Sequence, residues 1–163
     1  MTNPPKYTPG ESLLHPIAIL AIATLALNDH YLKEQFPSWW TGKLSDFAGM
    51  IFFPLLLEAF YEWSCHWKGT FAPSKRVSII TGMVTGSVFA LTNTVDLFAN
   101  LYRWTLGTLQ WPFYQIKFFF VQGDIMPMLP VKHVMDPTDV VAIPFCGIAV
   151  WISLQRLKNN TGG

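Results

Sequence analysis

The sequence predicts an all-α integral membrane bundle of four transmembrane helices, with an aromatic-rich interfacial or re-entrant segment between the third and the fourth. Three observations carry this. Hydrophobic residues make up 51% of the 163-residue chain and charged residues 13%, about half the charged share of a soluble domain. Four apolar stretches have the length of a bilayer-crossing helix, about 20 residues. Polar and charged residues gather between those stretches, as the cost of burying charge in lipid requires.

Residues 1–12, with Pro4, Pro5, Pro9 and Gly10, lack apolar periodicity and are expected to form a flexible tail. A first helix over 13–32 enters at His15-Pro16, where a proline in the first turn costs little. Ala18, Ala21, Ala23 and Ala26 give it a thin packing surface. Its short apolar core and Thr24-Leu25-Ala26 resemble a secretory signal, but Glu11 and the scarcity of preceding cations favour a retained helix.

A second helix over 44–63 contains Pro54, which is expected to kink it. Glu58 and Glu62, one turn apart near its far end, are read as a solvated helix end in preference to a functional pair. The third helix, over 77–97, carries Gly82, Gly86 and Ala90 at four-residue spacing. Such a small-xxx-small stripe lets another helix, of this chain or of a second one, approach closely.

Residues 98–135 interleave Phe98, Tyr102, Trp104, Trp111, Phe113, Tyr114 and Phe118-Phe119-Phe120 with Arg103 and Lys117, a composition suited to the headgroup boundary. Gly107, Pro112, Gly123, Pro127 and Pro130 argue against one continuous span, so one or two interfacial or re-entrant helices and a loop are expected. Asp136-Pro137-Thr138-Asp139 then opens a fourth helix over 138–157: an Asp cap, Pro at the first position, and an acid facing the positive end of the dipole. Residues 159–163 form a second tail.

Four spans put both termini on one side with the 65–76 connector. That side holds Lys6, Lys68, Lys75, Arg76, Arg156 and Lys158 in short segments, whereas Lys33, Lys43, Arg103, Lys117 and Lys132 are spread over longer stretches opposite. The positive-inside rule therefore makes the termini cytoplasmic. A net charge of +1 without a basic run excludes a nucleic-acid partner, whose phosphates demand clustered cations. Cys65 and Cys146 fall in separate segments and form no paired metal or redox motif.

The acids sort to the face opposite the termini: Asp29, Glu34, Asp46, Asp96, Asp124, Asp136 and Asp139 lie at or beyond it. Four helix ends bring Asn28, Asp29 and His30, Lys43 and Asp46, Asn93 and Asp96, and Asp136 with Asp139 to one depth. Carboxylates near a histidine and a lysine can bind a divalent cation, relay protons or hold a lipid phosphate. Each has a plainer role too. Ser45 or Asp46 can cap the second helix, Asp136 and Asp139 the fourth, and Asp29 can pair with Lys33 across one turn. His30 lacks a second histidine at ligand spacing, so no metal site is assigned. No phosphate loop, nucleophile elbow or His-Glu-x-x-His motif occurs, no cofactor is implied, and catalysis has no complete motif to rest on.

At Ser45-Asp46-Phe47-Ala48-Gly49 and Asp139-Val140-Val141-Ala142-Ile143-Pro144 the chain resembles the VanZ-like family of small multi-pass envelope proteins, in which one Asp starts an early helix and a second starts the last. Phe47 and Met50 stand where that family has Lys and His, and Ile143 where it has Asn. The resemblance implies a bundle in a bacterial-type plasma membrane with the two acids near each other. Two functional classes follow from the sequence. One is a membrane protein whose outer-face cluster binds an ion or a polar lipid headgroup, with Asp46 and Asp139 as central acids, His30 as base or ligand and Lys43 as anion contact. The other is a non-catalytic accessory subunit, held to a membrane-protein partner or a second copy by the Gly82/Gly86 face.

Overall fold

The structure, a computed structural model, describes residues 8–122 and 127–161. Expectations that fall on residues 1–7, including Lys6, on Gly123 and Asp124, and on 162–163 lie outside the described residues. Among those described the chain is all-helical, and it divides into two units, residues 1–87 with 141–163 and residues 88–140. Three helical stretches are long and apolar enough to cross a membrane: Trp39–Trp67, Lys75–Thr94 and Pro137–Asn159.

In the first unit a short 3-10 turn, Glu11–Leu14, leads into α1 (Pro16–Leu27). His15 caps α1, its Nδ1 accepting from the Ile17 amide at 3.3 Å, and Pro16 occupies the first helical position, where its missing N–H is no loss. The expected helix over 13–32 is thus divided: α1 ends at Leu27, and a π turn over Asn28–Leu32 joins it to α2 (Lys33–Gln35). A π turn inserts one extra residue into the helical repeat.

Helix α3 (Trp39–Trp67) exceeds its expected 44–63 bounds at both ends. Its cap is Ser38, not Ser45 or Asp46. Ser38 Oγ accepts from the Thr41 amide at 3.2 Å while the Thr41 hydroxyl accepts from the Ser38 amide at 2.9 Å, a reciprocal capping box. At the other end Gly69 adopts φ +68°, and the Gly69 and Thr70 amides return to His66 and Cys65 carbonyls, each at 2.9 Å. This is a Schellman stop, for which glycine is suited because the left-handed conformation crowds any Cβ. Between these stops α3 runs continuously through Pro54, which is buried.

Helix α3 is the centre of the unit, packing against α1 on one side and α6 (Cys146–Thr161) on another. Ala18, Leu55, Ala149 and Ile152 form the core where the three meet. Of the expected alanine surface of α1, Ala18 and Ala21 are buried, whereas Ala23 and Ala26 are exposed. Helix α4 (Lys75–Thr94) presents Gly82 and Gly86 to the last helical stretch. A Cβ at Gly82 would stand 2.8 Å from Val150 Cγ2, and one at Gly86 3.1 Å from Ile143 Cγ2. The stripe therefore admits a helix of its own chain. The approach to that helix is not α-helical as expected: Pro137–Phe145 is a 3-10 stretch, and the α form begins at Cys146. Pro144 accounts for part of this, since it has no amide to donate to the preceding turn.

In the second unit α5 (Asp96–Gln122) follows α4 after Val95 alone. It is a single 27-residue helix that passes through both Gly107 and Pro112, where the sequence argued for interruptions. An extended segment, 127–136, then returns along α5. The Val131 amide donates to the Arg103 carbonyl at 3.1 Å, and the Arg103 guanidinium grips the His133 carbonyl through Nη2 at 2.6 Å and Nε at 3.1 Å. Gly107 supplies the notch, because a Cβ there would lie 2.4 Å from the Leu129 carbonyl oxygen. His133 Nε2 reaches the Thr92 carbonyl at 3.2 Å, and since a carbonyl only accepts, that nitrogen carries the proton.

Candidate functional site

Two polar clusters lie in the first unit, one at each end of the α1–α3 pair. The first joins the π turn to the opening turns of α3. Asn28 is fully buried, and its amide nitrogen donates to the Thr41 carbonyl at 2.8 Å and to Ser45 Oγ at 2.6 Å. Ser45 in turn donates to Asp29 Oδ1 at 2.6 Å, and Lys33 Nζ meets the same oxygen at 2.8 Å. The Asn28 amide oxygen has no partner. An unmet buried acceptor costs on the order of 1–3 kcal/mol.

Asp29 lies past the apolar part of α1 and its side chain is about half exposed (48%). Burial pushes its carboxyl up, but the hydrogen bonds from Lys33 and Ser45 and the nearby Lys33 charge together outweigh that, holding it below the ordinary aspartate range. Lys43, one turn into α3, is buried (3% exposed), with its ammonium 5.9 Å from the centre of the Trp39 ring. That is within reach of a cation–π attraction. Asp46 is half-buried in the next turn, and His30 is exposed.

Of the sequence-derived candidates Asp29 is bonded into the Asn28–Ser45 network; Lys43 and Asp46 share the opening turns of α3 but are turned roughly 160° and roughly 100° away from Ser45 around the helix. Asp96, Asp136 and Asp139 belong to the second unit. Asp96 is exposed in the first turn of α5. Asp136 caps the 3-10 stretch, its Oδ1 accepting from the Thr138 amide at 2.8 Å and the Thr138 hydroxyl at 2.7 Å. Asp139 donates its amide to the Asp136 carbonyl at 2.9 Å within the same turn.

The second cluster was misread from sequence. Glu58 and Glu62 are not a solvated helix end but are 3% and 4% exposed. Glu58 Oε1 accepts from Ser78 Oγ of α4 at 2.7 Å, and Oε2 accepts from Ser153 Oγ of α6. Glu62 Oε2 accepts from the Gly10 amide at 2.7 Å and faces Arg156 Nη2 at 3.7 Å. Arg156 also donates to Ser12 Oγ at 2.5 Å and the Thr8 carbonyl at 2.6 Å, with Nε 3.4 Å from Glu11. One α3 edge therefore fastens α4, α6 and the N-terminal turn.

Comparison with protein-family models, curated proteins and solved structures gives no match. The chemistry has to be read from the side chains. Among the described residues no group of three or more His, Cys, Asp or Glu side chains is arranged to hold a metal ion. What the Asn28–Ser45 cluster offers is an acceptor-rich wall, with the Asn28 oxygen and the Asp29 carboxylate beside the Lys33 ammonium. Such a wall suits a group that brings hydrogen-bond donors or positive charge. Asn28 is among the residues that the sequence places at this face, whereas Ser45 reads from sequence only as a cap, the ordinary role of a short hydroxyl at a helix end. The signal present was an Asn followed by Asp at the end of an alanine-rich helix, which is a poor place for either unless something binds them.

Proposed function

We propose that this chain is a small multi-pass membrane protein that holds an ion or a polar lipid headgroup at the α1–α3 end, through Asn28, Asp29 and Ser45. The observation that carries this is the Asn28 oxygen, which is buried, unpartnered and hydrogen-bond-linked through its own amide to Ser45 and Asp29. A donor supplied by a ligand recovers the cost of that unmet acceptor.

The membrane reading is supported by length. From Ser45 to Glu62 is about 26 Å along α3 at 1.5 Å per residue, close to the roughly 30 Å hydrocarbon thickness. Trp39 and Trp40 beyond one cluster, and Trp63 and Trp67 beyond the other, are all exposed, as interfacial aromatic belts are. Gly10, before the turn that leads into α1, is bonded to Glu62, and Asn28, just after α1, is bonded to Ser45. The Gly10–Asn28 stretch therefore runs along the same length of α3, and we read it as a fourth span whose α-helical part, Pro16–Leu27, covers about 18 Å, with Asp29 outside it. Both termini then share a face with Lys68, Lys75, Arg76 and Lys158, which favours a cytoplasmic side. An accessory-subunit role would have to use another surface than Gly82 and Gly86, already filled by Val150 and Ile143.

The test is ligand-dependent thermal stability of the purified protein in nanodiscs, with sodium, magnesium and defined headgroups added in turn, on the unaltered chain and on Asn28→Ser and Asp29→Asn. A specific ligand at hundredfold excess over its Kd raises stability by about 2.7 kcal/mol. The reading predicts that one ligand raises the Tm of the unaltered chain and that both variants, still folded, lose that rise. It is overturned if the variants respond as the parent does, or if nothing added shifts the parent.

A further inference from the structure

Helix α5 is not among the stretches apolar enough to cross a membrane, yet one of its faces is too apolar for water. Phe98, Leu101, Leu109, Phe113, Ile116 and Phe120 recur at helical spacing, and each is exposed, Phe113 at 75% and Phe120 at 82%. At 100° per residue they fall within a sector of roughly 120°. The opposite sector holds Asn100, Arg103, Gly107 and Gln110. It is on that side that segment 127–133 lies: Gly107 meets the Leu129 carbonyl, and Arg103 bonds both the Asn100 oxygen at 3.2 Å and the His133 carbonyl. Among the described residues the chain thus covers the more polar face of α5, which also carries Tyr114, with its own backbone and leaves the apolar face bare.

We infer that α5 lies along the bilayer surface, with the Phe98–Phe120 stripe among the acyl chains and the Arg103–Gly107 side, strapped by residues 127–133, turned to water. The inference rests on the membrane reading proposed above. What selects lipid as the occupant is continuity. Helix α4 is long and apolar enough to be a membrane span and ends at Thr94, and α5 begins at Asp96, so a helix tethered by one residue to a span starts at the membrane face. Asp96 in its first turn and the Arg103–His133 clasp keep polar groups on the water side. A helix with a large apolar sector, a polar sector and too little hydropathy to span settles into the headgroup boundary, burying its apolar face by about 5–10 Å. The strap also satisfies polar groups that would otherwise compete for that boundary, and Gly107 is the position that lets it lie flat.

Spin labels test this in nanodiscs of mixed phosphatidylcholine and phosphatidylglycerol, at Phe98→Cys, Leu109→Cys, Phe113→Cys, Phe120→Cys and Gln110→Cys in a Cys65→Ala, Cys146→Ala background. The stripe labels should be relaxed by oxygen, at one shallow depth from Phe98 to Phe120, and the Gln110 label by a water-soluble nickel chelate. A depth that rises to the bilayer centre and falls again along the stripe overturns the inference in favour of a further span. Stripe labels relaxed by the chelate, or by neither agent, overturn it in favour of a water-exposed face or a protein partner. A label at Met83→Cys on the exposed side of α4 separates the two levels: if it too reads water, the membrane reading itself fails. Hydroxyl-radical footprinting of the unaltered chain in the same nanodiscs needs no substitution. Phe113 and Phe120 should stay unoxidised there, and their oxidation overturns the inference.

Discussion

The two polar clusters that bracket α1 and α3 differ in one respect that separates fastening from binding. At the Glu62 end both Glu58 oxygens, a Glu62 oxygen and several Arg156 nitrogens meet partners drawn from α4, α6 and the N-terminal turn. At the Asn28 end the partners are close in sequence; among the described residues each end holds a buried atom without a hydrogen bond, but Arg156 Nε still faces the Glu11 carboxylate at 3.4 Å, whereas Asn28 Oδ1 is left over. Buried polar networks rigidify a fold when every member is satisfied. A network with one member unmet either costs stability or awaits a ligand. On the function proposed above, the Glu58–Glu62–Arg156 group, whose partners are distant in the chain, fastens the helices, and the Asn28–Asp29–Ser45 group is the one that binds.

Removing Arg156 should break the closed cluster and give the largest effect. Arg156→Ala takes away the guanidinium that faces Glu62 and the donors that hold Ser12 and Thr8. Deleting one partner of a buried pair costs about 3–5 kcal/mol, largely because the other charge stays behind. Thermal unfolding in detergent should show that loss. Adding Glu62→Gln should then restore part of it, and a double mutant whose loss equals the sum of the singles would mean that the pair is not coupled.

A smaller pair of substitutions compares the clusters directly. Ser153→Ala strips a donor from a buried Glu58 oxygen that has few alternatives, and should cost roughly 1–3 kcal/mol. Ser45→Ala removes the link between Asn28 and Asp29, but Asn28 retains the Thr41 carbonyl and Asp29 retains Lys33, so roughly 0.5–1.5 kcal/mol is expected. Equal losses, or a larger one at Ser45, would undo the distinction between a closed fastener and an open site.

How far the sequence could be read follows the same divide between local and distant partners. The His15-Pro16 entry and the Asp136 cap were legible because capping needs only neighbours in the chain. Ser38 was missed although its partner Thr41 is three residues on, since the capping-box pattern ordinarily has Glu or Gln at that place. Glu58 and Glu62 were misassigned because their partners, Ser78, Ser153 and Arg156, lie 20 to 95 residues away and carry no periodic signal of their own. The Gly82/Gly86 stripe announced close packing without saying against which chain. Gly107 read as a helix breaker, whereas its work is tertiary, making room for Leu129 and Pro130. At the α1–α3 end Asn28 and Asp29, which the structure joins through Ser45, were named from sequence. The π turn that sets Asn28 over Ser45 was not, because one extra residue in a helical turn leaves no compositional trace.

The smallest expected effect tests whether the open cluster has an electrostatic share. The Asp29 carboxyl is held below its ordinary value of 3.8 in the folded chain, so the folded state favours its charged form. The sign follows from linkage: the contribution is present at pH above that ordinary value and is lost as pH falls through the lower, folded one. The side chains of Asp29 and Lys33 are 48% and 41% exposed, which limits the pair to the surface range, under about 1 kcal/mol, and makes it sensitive to salt. Melting curves of the parent and of Asp29→Asn, taken from about pH 6 down to about pH 3, should differ at the upper end and converge at the lower. The gap should narrow in high salt. Curves that stay parallel to the lowest pH would mean that Asp29 acts at this site through the shape of its hydrogen bond to Ser45 and not through its charge. A ligand bound there would then be selected by geometry alone.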